Sequence, residues 1–337
     1  MRKFFLLMLL LLCSGCGFGQ MDKSVDFGAK TEHREMSYSQ NKYPLTVVNL
    51  NSKAELEKQV YQQPPQKVIA VWQNSIEVLL ALGLEDRIIA GLGVPSDQCI
   101  SEQYRAAYNE LPYKSLELLD LESTMFLEPD MLLGWYSTFS NNVLRGTDFW
   151  QQRGVHTYIS KTSSSLLQKK TLEHEYEYIL DIGKIFDREE KAQQIVKKMQ
   201  SEISNVVEKT GSLQQRPTTL IIELLGNNIS VYGKNTLAGD IVHKLKGDLL
   251  LSEAKTISME QIIDAEPDSI FIVIVERDYG YEQLYLDKIL KNKALQNLQC
   301  VREGKVYVLP LYAVYAPGIR AYDGIRIIAN GLYPDLY

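Results

Sequence analysis

Asp120-Leu-Glu122-Ser-Thr-Met-Phe-Leu-Glu128-Pro129-Asp130, followed by the apolar run Met131-Leu-Leu133, returns in altered form 138 residues later. The second copy reads Ser258-Met-Glu260-Gln-Ile-Ile-Asp-Ala-Glu266-Pro267-Asp268 and continues into Ser269-Ile-Phe-Ile-Val-Ile-Val275. In each copy a helix-capping residue, Asp120 or Ser258, stands two places before a Glu. A short helix follows, Glu-Pro-Asp stops it, and a buried strand begins. The period is too long for a solenoid, whose repeats run to about 20 to 50 residues. It predicts two lobes of similar build, each offering one carboxylate, Glu122 or Glu260, early in a helix.

Working outward, Tyr43 to Leu50 reads as an edge strand and Lys67-Val-Ile-Ala-Val71 as the first core strand. Ser75 to Leu84 is a helix with Gly83 near its end, and Arg87 to Leu92, Met131 to Trp135 and His156 to Ile159 are further strands. Strands that alternate with helices and are almost continuously apolar signal a parallel sheet covered on both faces. Thr171 to Phe186 is helical, and Asp187 is expected to cap a second helix reaching about Lys209. Ile195, Met199, Ile203, Val206 and Val207 give that helix an apolar stripe. At about 1.5 Å per residue it spans roughly 30 Å, enough to join two lobes. After Gly211 and Pro217 the alternation restarts, with strands at Thr219 to Leu225, Ser269 to Val275 and Val306 to Leu309. A helix from Asp323 to Leu332, stopped by Pro334, closes the chain. The fold class is therefore α/β: two parallel-sheet lobes with flanking helices, joined by one long helix. Residues 64–186 form the N-terminal lobe, 187–210 the interlobe helix and 211–337 the C-terminal lobe.

The first residues read as a targeting segment. Arg2 and Lys3 precede the apolar run Phe4 to Leu12, which is too short to stay in a bilayer as an anchor. Ser14-Gly15-Cys16 resembles a bacterial lipobox, with Cys13 where that pattern usually has Leu. Residues 1–15 are then a lipoprotein signal peptide, Cys16 carries the lipid, and 16–63 form a tether with an N-terminal edge segment; ordinary signal cleavage without lipid is the alternative. The formal charge of −6, without any Lys/Arg stripe, argues against nucleic acid. Cys99 and Cys300 are either bridged, as an oxidising exterior permits, or two separate buried thiols. His33, His156, His174 and His243 show no spacing that would hold a metal. No G-x-S-x-G elbow, P-loop or H-E-x-x-H motif supports catalysis.

An ordered set of stretches carries a family resemblance. It includes Pro65-Gln-Lys-Val-Ile-Ala-Val71, Glu77-Val-Leu-Leu-Ala-Leu-Gly83 through Gly91, and both Glu-Pro-Asp segments. It continues with Tyr232-Gly-Lys-Asn-Thr236, Val301-Arg-Glu-Gly304 through Tyr307, and Gly318-Ile-Arg320. Together these resemble the solute-binding lipoproteins of ABC importers for iron-siderophores, haem and cobalamin, over nearly the whole mature chain. The resemblance implies a monomer without catalytic activity or a cofactor of its own, anchored by lipid on the extracytoplasmic face. It implies a ligand cleft between the lobes, modest closure about a helical joint, and docking of Glu122 and Glu260 into arginine pockets of a permease. A Glu in a first helical turn is also favoured by the helix dipole alone, so the matched pair matters more than either member.

Ligands of open parallel sheets sit beyond the carboxyl ends of the strands. The loops expected there bring Trp72, Trp135, Tyr136 and Lys161 from the first lobe and Tyr232, Arg277, Tyr312 and Tyr315 from the second. Aromatic faces suit flat chelates, and Lys161 or Arg277 suits an anionic periphery. The function expected is capture of a metal chelate, foremost an iron-siderophore and next haem or cobalamin, for delivery to an ABC importer. A lipid-anchored ligand sensor and an exported enzyme on the same fold are the alternatives.

Overall fold

A computed structural model of the chain describes residues 42–211 and 213–336; the signal segment, Cys16, His33 and most of the tether lie outside the described residues. A hairpin of β1 (Leu45–Leu50) and β2 (Leu56–Tyr61) comes first. The first lobe then runs β3 (Val68–Val71), α1 (Gln73–Leu82), β4 (Ile88–Leu92), α2 (Glu102–Asn109) and β5 (Lys114–Ser115). It continues through α3 (Leu121–Phe126), β6 (Met131–Gly134), α4 (Thr147–Gln151) and β7 (His156–Ile159). Two helices, α5 (Leu172–Ile185) and the 22-residue α6 (Glu189–Thr210), lead to the second lobe. That lobe runs β8 (Thr218–Leu225), β9 (Asn228–Val231), α7 (Leu237–Lys244), β10 (Asp248–Leu249) and β11 (Thr256–Ile257). It closes with α8 (Met259–Ala265), β12 (Ser269–Ile274), α9 (Glu282–Leu290), α10 (Gln299–Arg302), β13 (Val306–Pro310) and α11 (Ala321–Leu332).

The first sheet has the order β5-β4-β3-β6-β7, all parallel. The second has the order β11-β9-β8-β12-β13, with β10 beside the start of β8. There β8, β12 and β13 are parallel while β9 runs antiparallel to β8. Because side chains alternate across a strand, each sheet feeds two apolar layers. Ile69, Val71 and Leu132 face an outer layer with Trp150, and Ile270, Ile272 and Ile274 face another with Leu295. Val68, Ala70, Met131 and Leu133 share a third layer with Phe271, Val273 and Ile221 from the other sheet. Residues of α1, α5, α6, α7 and α11 fill that shared layer. Two separate sheets thus stand where two lobes were expected, but their inner faces belong to one continuous core.

Asp187 does not cap the long helix. It sits at φ 55° and Arg188 occupies the position before Glu189. The hairpin was only half anticipated, since β2 carries three polar residues in a row, Glu57-Lys58-Gln59, between its apolar ends. Its Asn49 and Gln59 side chains replace a missing strand neighbour for β7. Asn49 exchanges amide bonds with Ile159 (3.1 and 2.8 Å) and Gln59 with Thr157 (2.6 and 3.0 Å), so that edge is satisfied without another strand. Cys99 and Cys300 are separate buried thiols.

Candidate functional site

In the first sheet the chain leaves β3 toward β4 on one side, and β6 later joins on the other. The crevice at the carboxyl ends of β3 and β6 is therefore the topological switch point. Trp72 follows β3 with φ 73°, a conformation rare for a bulky residue. Its N–H donates to Leu92 O at 2.8 Å. A Cβ at Gly93 would come within 2.6 Å of its ring, so only glycine leaves room for that indole. Trp135, which follows β6, stacks on Trp72 with centroids 4.9 Å apart. Trp72 Nε1 donates to Thr138 Oγ1 at 3.2 Å and Trp135 Nε1 to Asn74 Oδ1 at 2.7 Å. Tyr315, from the second lobe, meets Trp135 edge-on at 5.3 Å and donates its hydroxyl to Ser163 O at 3.2 Å. Lys170 Nζ lies 4.5 Å from the Tyr315 ring centroid. The three rings form a half-buried ridge across the lobe boundary.

In the second lobe Tyr232 donates to Glu223 Oε2 at 3.0 Å. Glu223 lines a cavity of about 400 Å³ at the carboxyl ends of β8 and β12, together with Arg277, Asp278, Tyr285 and Lys288. Burial pushes the Glu276 carboxyl up, and the charges of Glu223 and Glu276 reinforce burial in raising Tyr232. This part of the lobe carries charges of both signs, Glu223, Glu276 and Asp278 beside Lys288 and the exposed Arg277. Three predicted residues lie apart from the ridge. Lys161 pairs with Glu177 on α5 at 2.5 Å. Tyr136 donates to Ser52 O at 3.0 Å, toward the hairpin. Tyr312 lies beneath the Arg320 guanidinium, 4.0 Å from ring centroid to carbon, and edge-on to Tyr279.

Sequence reasoning missed the groups that hold the lobes together. The turn Gly318–Arg320, just before α11, inserts between α1 and α5. Arg320 Nη1 donates to the fully buried Glu77 Oε1 at 3.0 Å, which also accepts from Ser101 N at 2.6 Å. Burial pushes the Glu77 carboxyl up and Arg320 opposes it. Glu175, buried on α5, accepts from Gly318 N at 2.8 Å and from the Thr162 hydroxyl. Burial pushes its carboxyl up to about 7. The signal for Glu77 was its place as the lone charge in Ile76-Glu77-Val-Leu-Leu-Ala-Leu82. Glu175 lies among other acids and gave none.

Glu122 and Glu260 are both exposed. Asp120 accepts from Ser123 N at 2.7 Å and Ser258 from Gln261 N at 3.4 Å, so both capping residues act as expected. Each acidic helix follows a two-residue edge strand, β5 or β11. Those strands pair with Gly91–Leu92 and, through Ile229, with Leu224, the carboxyl ends of their sheets. Both carboxylates thus belong to the strand-carboxyl side of their lobe. Glu128 and Glu266 take φ 48° and 45°, and the next acids tie the turn down. Asp130 accepts from Gln66 N (2.6 Å) and Lys67 N (2.8 Å), Asp268 from Thr218 N (2.7 Å) and Oγ1 (2.8 Å). Among the described residues no three His, Cys, Asp or Glu side chains gather to hold a metal ion, and no helix is long and apolar enough to cross a membrane.

Residues 68–313 match the family model described as periplasmic binding protein, and the chain belongs to that family. A periplasmic binding protein from Veillonella parvula is 38% identical and superposes with a TM-score of 0.85, over 88% of this chain and 94% of that one. YvrC of Bacillus subtilis, an ABC transporter substrate-binding lipoprotein, is 20% identical over 98% of this chain and 96% of its own length. The petrobactin-binding protein YclQ of the same organism is 23% identical over 79% of this chain and 82% of its own. These relatives are solute-binding proteins of transporters, not enzymes.

Proposed function

We propose that this periplasmic binding protein, the solute-binding component of an ABC importer, carries a ferric siderophore. The observation that supports this most is the Trp72–Trp135–Tyr315 ridge at the sheet switch point, with Lys170 over the outermost ring. Flat apolar faces next to one cation suit a chelate whose aromatic or acyl skeleton is greasy and whose metal-binding oxygens are anionic. The relatives that bind petrobactin or serve iron uptake support the same class. Glu223 and Glu276, the carboxylates whose charges act on Tyr232, suit a chelate that carries amines on its arms as well as anionic oxygens. Glu122 and Glu260 then dock the loaded protein to the permease, and the lipid on Cys16 holds it at the membrane surface.

Titration of the mature protein with ferric petrobactin, ferrioxamine, haemin and cyanocobalamin, followed by tryptophan fluorescence, tests this. Quenching by a ferric siderophore, reduced by Trp72→Phe, is the expected result. Quenching by haemin or cyanocobalamin alone reassigns the ligand within the family, and no response to any of them removes the chelate reading.

A further inference from the structure

Beside Glu260 the surface has a shape that the carboxylate by itself does not explain. An open cavity of about 470 Å³ lies between the β8–β9 turn and the start of α8. Leu224, Ile229, Ile257 and Met259 supply its apolar lining, and Glu260 and Lys288 its charged groups. Gly226 and Asn227 form the lip, a turn with little side-chain bulk. Leu225, next in the hairpin, and Leu284, one helical turn before Lys288, are left 49% and 59% exposed.

Glu260 is fully exposed, and among the described residues no Lys or Arg acts on its carboxyl; Ser258 donates to it and keeps it ionised. Lys288, on the same wall, sits 4.6 Å from the Tyr285 ring centroid. A lone carboxylate in water is screened and holds a small solute poorly. A protein loop that brings a cation and an apolar side chain together would cover both features at once.

From this continuity we infer that the cavity receives an apolar side chain from an external loop of the ABC permease, next to the basic residue that pairs with Glu260. The inference rests on Glu260 being a docking carboxylate and adds the apolar contact beside it. Charge steers the encounter, and the filled cavity slows dissociation. The first lobe is built differently. Met125, 46% exposed, stands one turn beyond Glu122 on the same face of α3, so that lobe presents an apolar projection. A projection on one lobe and a cavity on the other orient the protein on its transporter in one way only.

The full-length protein is titrated into proteoliposomes holding the permease–ATPase complex it serves, and half-maximal stimulation of ATP hydrolysis is read. Met259→Trp fills the cavity and Asn227→Trp, on the exposed lip, blocks it without touching the core. Each is expected to raise the half-maximal concentration about tenfold, a difference of about 1.4 kcal/mol, with Met259→Leu unchanged. Glu260→Ala is expected to raise it as well. Wild-type behaviour of both Trp variants beside an impaired Glu260→Ala overturns the cavity's role and leaves the docking carboxylate standing. An unimpaired Glu260→Ala overturns both. Binding of 8-anilinonaphthalene-1-sulfonate that Met259→Trp abolishes while docking is unchanged makes the cavity a small-solute site instead.

Discussion

The two sheets have the same strand order, β5-β4-β3-β6-β7 and β11-β9-β8-β12-β13, yet one strand is reversed between them. In the first lobe β3 reaches its neighbour β4 through α1, so β4 is parallel and the chain after β3 opens at the switch point. Trp72, Gln73 and Asn74 occupy that opening. In the second lobe β8 reaches β9 through the two-residue turn Gly226-Asn227, so β9 is antiparallel. The same corner there is a hairpin lip with a cavity beside it. Equal order with unequal connection separates two tasks: the aromatic ridge grows from the open corner, and the concave surface beside Glu260 from the closed one. The Glu-Pro-Asp device, by contrast, recurs in both lobes with the same left-handed Glu. Its Asp ties down the neighbouring strand's entry, through two backbone amides in one copy and one residue's amide and hydroxyl in the other.

The largest expected effect tests whether the halves stand alone. Arg320 belongs to the second half and its partner Glu77 to the first. Arg320→Ala leaves a buried carboxylate without its cation and is expected to lower stability by about 3 to 5 kcal/mol, with Glu77→Gln/Arg320→Met recovering most of it. Urea unfolding should shift as one transition, because the inner faces share a core. Two separate transitions would restore independent lobes.

A smaller effect concerns pH. The Glu175 carboxyl is pushed up to about 7 by burial, so the folded state binds its proton more tightly than the unfolded chain does. Its stabilising contribution is complete below the unfolded value of about 4.3 and is lost as pH rises through 7. Glu175→Gln keeps an acceptor for Gly318 N and should flatten this dependence, gaining up to about 3 kcal/mol over the wild type at pH 8. Parallel stability curves for the two proteins between pH 5 and 8 would mean that Glu175 does not titrate in the joint.

The smallest effect sharpens the likeness of the repeats. Asp130→Ala and Asp268→Ala each remove two charge-assisted bonds at the entry of a core strand, β3 or β8. Each should cost about 2 kcal/mol by thermal or urea unfolding, and the two losses should be similar. A silent Asp268→Ala would reduce the second copy to a coincidence of sequence.

Particular residues show how far the chain could be read directly. Met131–Leu133 and Ile270–Ile274 were legible as strands because a sheet covered on both faces demands uninterrupted apolar runs. The partner strand Leu56–Tyr61 was not, since its Gln59 points at a strand edge and resembles a solvent-facing residue in one dimension. Trp72, Trp135 and Tyr315 were each legible as loop aromatics, but their meeting was not. Lys161 looked like a cleft cation until α5 brought Glu177 to it.

The local pattern alone determined the α/β class, the two capped acidic helices and the exposure of Glu122 and Glu260. Those properties depend on periodicity, caps and proline, which act within a few residues. Tertiary structure decided the joint at Gly318–Arg320, the shared core and the ridge, because each unites groups far apart in the chain. Arg320 meets Glu77 across 243 positions. Only the closure of both sheets onto common helices makes that contact, and no local pattern contains it.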